Sequence, residues 1–130
     1  MSLDVDERKK GSEGQHYFLG FRETVTLSIG LFDQAVTRSG LYKLYSKVHE
    51  QLNLLGVIEF SLPIEAVFNA MIRKLIKNGI IKEIYHSNNF EIVLTEAGEG
   101  SFDVILFHLE SHPDSRKILH IFKLVKTQLN

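Results

Sequence analysis

The chain has 130 residues, of which 44% are hydrophobic and 24% are charged, so one globular domain with its own core is expected. It contains no cysteine, which excludes disulfides, thiolate metal sites and a cysteine nucleophile and fits a reducing compartment. No apolar run approaches the roughly 18–20 residues that span a membrane, and the polar N-terminal stretch lacks the apolar centre of a signal peptide. These features predict a cytoplasmic protein without membrane contact.

Charge is unevenly distributed along the chain, although the net charge is only −1. Residues 37–90 carry seven basic and four acidic side chains, residues 91–115 carry six acidic side chains and no Lys or Arg, and residues 116–130 carry four basic side chains and no acid. A basic block in the middle of the chain suits an anionic partner. The alternative is a solvated surface, which the overall pI of about 6.6 favours.

The first half of the chain is predicted to contain a disordered segment and two helices. Residues 1–16 are charged and contain Gly and Ser, so we expect them to be disordered. Apolar side chains at spacings of three and four predict helices over residues 22–37 and 41–55. Gly56 is a suitable C-terminal cap of the second helix, because glycine tolerates positive φ.

A third helix and a β-hairpin are predicted next. Pro63 suits the first turn of a helix, and Asn78-Gly79 marks its end. The inward-facing side chains of this helix are predicted to be Ile64, Val67, Phe68, Met71, Ile72, Leu75 and Ile76. Short β-branched and aromatic runs predict strands over residues 80–85 and 90–95. The hairpin tip is predicted to consist of His86, Ser87, Asn88 and Asn89, and the side chains that anchor the hairpin on the core are predicted to be Ile84, Phe90, Ile92 and Leu94.

Two further helices are predicted at the C-terminal end, over residues 101–111 and 114–129. The stretch SHPDS separates them, because proline cannot continue the first of the two. The apolar stripe of the last helix either packs on the chain's own core or forms a contact between two copies. The side chains assigned to such a dimer contact are Ile118, Ile121, Phe122, Val125 and Leu129.

Two motifs in the middle of the chain resemble the winged helix-turn-helix superfamily. The stretch IRKLIKNGIIKEI (72–84) is a third helix that ends in Leu-x-x-x-Gly-Ile, and the hairpin after it closes on LTEAG (94–98). PadR/MarR-like transcription regulators have a similar helix end, followed by a wing and a Leu-Thr-x-x-Gly close. The stretch GLYKLYSKVHEQL (40–52) is also similar to the second helix of PadR-type regulators. The resemblance covers about residues 22–98.

This resemblance implies an α+β fold, namely a mainly helical winged helix-turn-helix domain (17–98) with a two-stranded β-hairpin wing, followed by C-terminal helices (99–130). It also implies a small homodimeric transcription regulator whose third helix enters the major groove of duplex DNA while basic side chains neutralise phosphates. The residues to which it assigns DNA contacts are Lys43, Lys47, Asn69, Arg73, Lys74, Lys77, His86, Ser87, Asn88 and Asn89.

Two features keep a second interpretation open, in which the winged helix binds another protein and not DNA. Glu65 lies near the start of the third helix, where it would repel phosphate unless it accepted a hydrogen bond from a cytosine amino group. The hairpin tip contains no Lys or Arg. The residues also do not identify a small-molecule effector.

Metal binding and catalysis are not expected. His108 and His112 are spaced by one helical turn, but Glu110 points away from that face, Pro113 puts His112 at a helix end, and His120 is the remaining candidate ligand. No phosphate-binding glycine loop and no nucleophile–base arrangement is evident in the sequence. We therefore expect a protein without cofactor and without enzymatic activity.

Overall fold

The computed structural model describes residues 19–32, 36–86 and 88–129. Within these ranges the fold is mainly helical α+β, with a hairpin after the third helix, as predicted. The elements in chain order are α1 (Phe21–Leu31), α2 (Arg38–Leu55), α3 (Glu65–Lys77), β1 (Ile81–His86), β2 (Asn89–Leu94), α4 (Glu96–Ser111), a 3₁₀ turn (Pro113–Ser115) and α5 (Arg116–Leu129). The predictions for residues 1–16 and for Ser87 lie outside the described residues.

Side-chain and glycine caps define the ends of α2 and the start of α4. The backbone N–H of Gly40 donates to Thr37 Oγ1 at 3.1 Å, so α2 begins at Arg38. Its C-terminal cap is Gly56 with φ 85°, which confirms the predicted cap. Thr95 Oγ1 accepts from the N–H of Gly98 at 3.0 Å in the same way, so α4 begins five residues earlier than predicted.

The first helix ends six residues earlier than predicted, because the chain after it pairs with the hairpin. Phe32 is already extended. Val36 forms an isolated antiparallel bridge with Ile92, whose N–H donates to the Val36 carbonyl at 2.8 Å. A tertiary backbone contact therefore ends a helical pattern that apolar spacing alone would continue.

An aromatic cluster joins the first three helices. Phe68 of α3 lies with its ring centroid 5.0–5.5 Å from the rings of Phe21, Tyr42 and Tyr45. Phe68 and Tyr45 have no exposed surface, and aromatic pairs at this separation stabilise a core beyond their buried area. This cluster holds α3 against α1 and α2.

The C-terminal helices pack on the same core. Ile118, Phe122 and Val125 of α5 are buried inside the chain, at 1%, 1% and 0% exposure, so these predicted dimer residues are not available to a second copy. Ile121 is partly buried, and nothing is described for the side chain of Leu129. Of the two alternatives for this stripe, the structure shows packing on the chain's own core. None of the described helices has the length and apolar character needed to cross a membrane.

The hairpin is a regular antiparallel pair, with register from Ile81↔Leu94 to His86↔Asn89. Its tip is shorter than predicted, because His86 and Asn89 belong to the strands. Asn88 adopts φ 75°, the left-handed conformation that Asn tolerates in tight turns. The two strands are therefore separated by two residues of sequence at the tip.

Candidate interaction surface

The outer face of α3 has two chemically different halves. Phe68, Ile72 and Leu75 point into the core. The exposed side chains of the first half are Glu65, Ala66, Val67 and Ala70, and those of the second half are Arg73, Lys74 and Lys77. Positive charge on this helix is therefore confined to its C-terminal half, which begins about 12 Å along the axis from Glu65.

Two predictions about the direction of α3 side chains are wrong. Ile64 and Val67 are 69% and 48% exposed, because the buried side of α3 is centred on Phe68, and Ile64 precedes the first helical residue. Asn69 is partly buried, and its Oδ1 is fully shielded without a hydrogen-bond partner in the described part of the chain. Its side-chain oxygen is therefore not presented to a partner.

Lys43 and Lys47 lie on a different part of the surface, one turn apart on α2. Both are exposed, and together with Leu62 of the α2–α3 linker they line a shallow pocket of about 570 Å³. The linker is held in place by two hydrogen bonds: Tyr42 donates to the Pro63 carbonyl at 2.8 Å, and His49 Nε2 donates to the Phe60 carbonyl at 2.9 Å. The two lysines therefore flank the linker.

A second cleft separates the hairpin from the first turns of α2 and α3. Its volume is about 540 Å³, and its lining residues are Thr37, Arg38, Ser39, Glu65, Glu83, Asn89 and Phe90. Two carboxylates and one guanidinium contribute to this lining, so the surface beside the hairpin is not basic. Asn89, one of the predicted contact residues, thus lines the same cleft as Glu65.

A bidentate ion pair that the sequence analysis missed ties the hairpin to α2. Arg38 Nε donates to Glu83 Oε2 at 2.9 Å, and Arg38 Nη2 donates to Glu83 Oε1 at 3.2 Å. The two side chains are 32% and 24% exposed. Their separation of 45 residues leaves no local pattern from which the pair could be found.

Removing either partner of this pair is expected to loosen the hairpin. Because a partly exposed but bidentate pair contributes about 1 kcal/mol, Arg38→Ala and Glu83→Ala should each lower the free energy of unfolding by about that amount. A double-mutant cycle in chemical denaturation measures the coupling, and Lys82→Ala on the same strand is the control. A coupling energy near zero would contradict an energetic role for the pair.

The outer part of the hairpin exposes aromatic side chains. Tyr85 and Phe90 are 59% and 56% exposed, and their ring centroids are 5.3 Å apart across the strands. Phe90 shares a strand face with Ile92 but lies beyond the core, while Ile84, opposite Glu91, points to the other face. The predicted anchoring by Ile84 and Phe90 is therefore wrong, and Ile92, which is buried, does anchor the hairpin.

Tyr45 places a fully buried phenol in the core beneath this surface. Burial raises the pKa of Tyr45 far above its ordinary value, so the hydroxyl stays neutral. Within the described ranges this hydroxyl has no hydrogen-bond partner. His108, His112 and His120 are exposed, and the described residues contain no group of three or more His, Asp or Glu side chains that could hold a metal ion.

Comparisons with known proteins leave the family open. No family model matches the chain, and searches found no similar curated protein and no similar solved structure.

Proposed function

We propose that this protein is a small winged-helix regulator that binds duplex DNA through α3 and the hairpin. The observation that carries the proposal is the exposed basic half of α3, directly followed by an antiparallel hairpin. An α-helix with its side chains fits the major groove, and a hairpin beside it can follow the neighbouring backbone. The additional pairing of Val36 with Ile92 supports a wing that is held in a fixed position.

The chemistry of this surface favours contacts to phosphates over contacts to bases. Arg73, Lys74 and Lys77 would supply most of the affinity by neutralising phosphates, and Lys43 and Lys47 would extend the contact along the backbone. At the end of the hairpin, Asn88 and Asn89 would contribute hydrogen bonds.

The first half of α3 offers few groups that read bases. Glu65 can accept a hydrogen bond from a cytosine amino group, while Ala66, Val67 and Ala70 can contact thymine methyl groups. We therefore expect weak sequence preference and a binding energy that depends strongly on salt.

Binding to random duplex DNA at increasing salt tests the proposal. Arg73→Ala should weaken binding to all sequences alike and reduce the salt slope by about 1, because one phosphate contact is lost. Arg22→Ala, an exposed arginine on α1, is the matched control and should leave the affinity unchanged. Absence of binding at micromolar protein in low salt would refute DNA binding.

A second candidate function is a protein-binding winged helix. Phe60, Leu62, Ile64 and Val67 are 38–69% exposed around the start of α3, which is the part of the surface that a DNA-reading helix would present. Exposed apolar side chains grouped in this way are typical of protein-interaction sites. Ile64→Lys separates the two functions, because an added positive charge should strengthen DNA binding and weaken docking of an apolar protein surface.

A further inference from the structure

We propose that the groove between α2 and the α2–α3 linker binds a short acidic segment of another protein. One large apolar side chain of the segment packs beside Leu62, and its carboxylates face Lys43 and Lys47. This proposal rests on the second candidate function and deepens it, because it states the chemistry of the protein partner. The lining residues of this linker groove are Tyr42, Lys43, Ser46, Lys47, His49, Glu50 and Leu62.

The lining of the linker groove offers apolar contact and few free hydrogen-bonding groups. The hydroxyls of Tyr42 and Ser46 and the Nε2 of His49 each donate to a backbone carbonyl of the same chain, at 2.7–2.9 Å. Because these atoms are already paired, a partner gains little by hydrogen bonding to them. The ring of Tyr42 and the side chain of Leu62 therefore supply mainly hydrophobic contact.

The apolar surface continues along the linker beyond the groove. Phe60, Leu62 and Ile64 occupy every second position and are 38%, 40% and 69% exposed. Phe60 lies beside the His49 end of the groove, with its ring centroid 5.4 Å from that of the imidazole. A strip of several exposed apolar side chains suits a segment of protein chain, which presents several side chains in a row, better than a small molecule confined to one pocket.

The rim of the linker groove is positively charged. Lys43 and Lys47 are exposed and about 6 Å apart along the axis of α2, and neither ammonium has an ion-pair partner among the described residues. Among the described lining residues Glu50 alone is acidic, and it lies three residues beyond Lys47. Two ammoniums and one carboxylate leave an excess of positive charge at the Tyr42 end, which favours a partner whose carboxylates lie there.

A protein segment matches this groove better than duplex DNA does. The DNA backbone would use Lys43 and Lys47 but would leave the apolar lining and the linker strip without contacts, because phosphates are charged and strongly hydrated. A segment that combines acidic and large apolar side chains uses both parts of the surface. The two lysines are also assigned to the DNA backbone in the proposed function, so DNA and the segment exclude each other at this position.

The length of the groove sets the size of the bound segment. From Tyr42 to Glu50 the lining follows α2 for about 12 Å, which corresponds to roughly two turns of a helix or four residues of extended chain. A contact of this length gives a weak complex. We therefore expect a dissociation constant in the micromolar range that rises with salt.

Peptide selection on the immobilised full-length chain tests the proposal. The probe is a phage-displayed library of random peptides of about 12 residues, long enough to follow the groove in either conformation. Enriched peptides should carry aspartate or glutamate close to a large apolar residue. One enriched peptide, synthesised with a fluorescent label, then gives affinities by anisotropy with no DNA present, so the result stands apart from whether the chain binds DNA.

Substitutions in the groove should change the peptide affinity in opposite directions. Lys43→Glu should weaken binding at least about tenfold, because a carboxylate then faces the acidic side chains. Leu62→Ser should weaken it by a similar factor through lost apolar contact. Glu50→Lys should strengthen binding by about threefold or more, which a merely disturbed surface would not do. Lys82→Glu, an exposed charge reversal on the hairpin, is the control and should leave the affinity unchanged.

All four variants should keep the circular dichroism spectrum of the unmodified chain, because the four side chains are exposed. Failure to enrich any peptide, enriched peptides without acidic residues, or affinities unaffected by both Lys43→Glu and Leu62→Ser would overturn the proposal. If no peptide bound while Lys43→Glu lowered the affinity for duplex DNA, the lysines would serve DNA alone, and the proposal would be overturned while DNA binding stood.

Discussion

Replacing Gly98 with alanine should lower the free energy of unfolding by about 3 kcal/mol, at the upper end of the cost of overpacking a core. Gly98 is buried in the first turn of α4, and an added Cβ would lie 2.0 Å from the carbonyl oxygen of Ile80. This neighbour is backbone, so a side-chain rotation cannot relieve the clash. Either α4 or the start of β1 would have to move, which would also strain the hydrogen bond from the Thr95 N–H to the Ile80 carbonyl.

Gly100→Ala is the matched control for this prediction, because it lies two residues further along the same helix. A Cβ at Gly100 meets no heavy atom within 4 Å, and alanine favours helix by about 1 kcal/mol over glycine. Chemical denaturation should therefore show opposite changes for the two variants. Equal effects would mean that α4 shifts away from Ile80 at little cost.

Phe68→Ala should have the largest effect, a loss of about 3–5 kcal/mol in unfolding free energy. The ring is fully buried and contacts Phe21, Tyr42 and Tyr45, so truncation leaves a cavity at the point where α3 meets α1 and α2. A loss of this size is comparable to the total stability of many small domains. The variant should therefore be partly unfolded or show a much lower denaturation midpoint.

Phe90→Ala provides the comparison, since it removes the same side chain from an exposed position on the hairpin. With 56% of its surface already in water, its loss should cost less than about 1 kcal/mol. If the two variants were equally stable, the aromatic cluster around Phe68 would not be the contact that fixes α3.

The helix ends that depend on local chemistry could be predicted from the sequence, whereas those set by tertiary contacts could not. Gly56 and Asn78-Gly79 end α2 and α3 as expected, because a glycine after a helix acts through its own backbone. The end of α1 depends on pairing with Ile92, which lies 56 residues after Val36. No periodicity within residues 22–37 contains that information.

The start of α4 was missed for a related reason. Gly98 and Gly100 are poor helix formers, so their presence suggests a break before residue 101. In the structure the first of them permits the close approach to Ile80, and Thr95 caps the helix ahead of both. A glycine selected for close packing cannot be distinguished by composition from one selected for a turn.

The exposed basic residues of the candidate surface could be predicted from the sequence, but its exposed apolar residues could not. Arg73, Lys74 and Lys77 are exposed, as the amphipathic pattern of α3 suggests. Ile64 and Val67 continue the apolar pattern but lie outside the buried arc, because hydrophobic spacing does not reveal how much of a helix its neighbours cover. The packing around Phe68 therefore has to be known before the exposed, chemically mixed face of α3 can be identified.

The pairing of Val36 with Ile92 has a consequence for how the hairpin meets any partner. Together with the Arg38–Glu83 ion pair, it attaches both strands to the segment that enters α2. The hairpin is therefore preorganised relative to the helices, and a partner that contacts both would not have to immobilise it on binding. Less conformational entropy is lost at that step, so even a small contact area can yield measurable affinity.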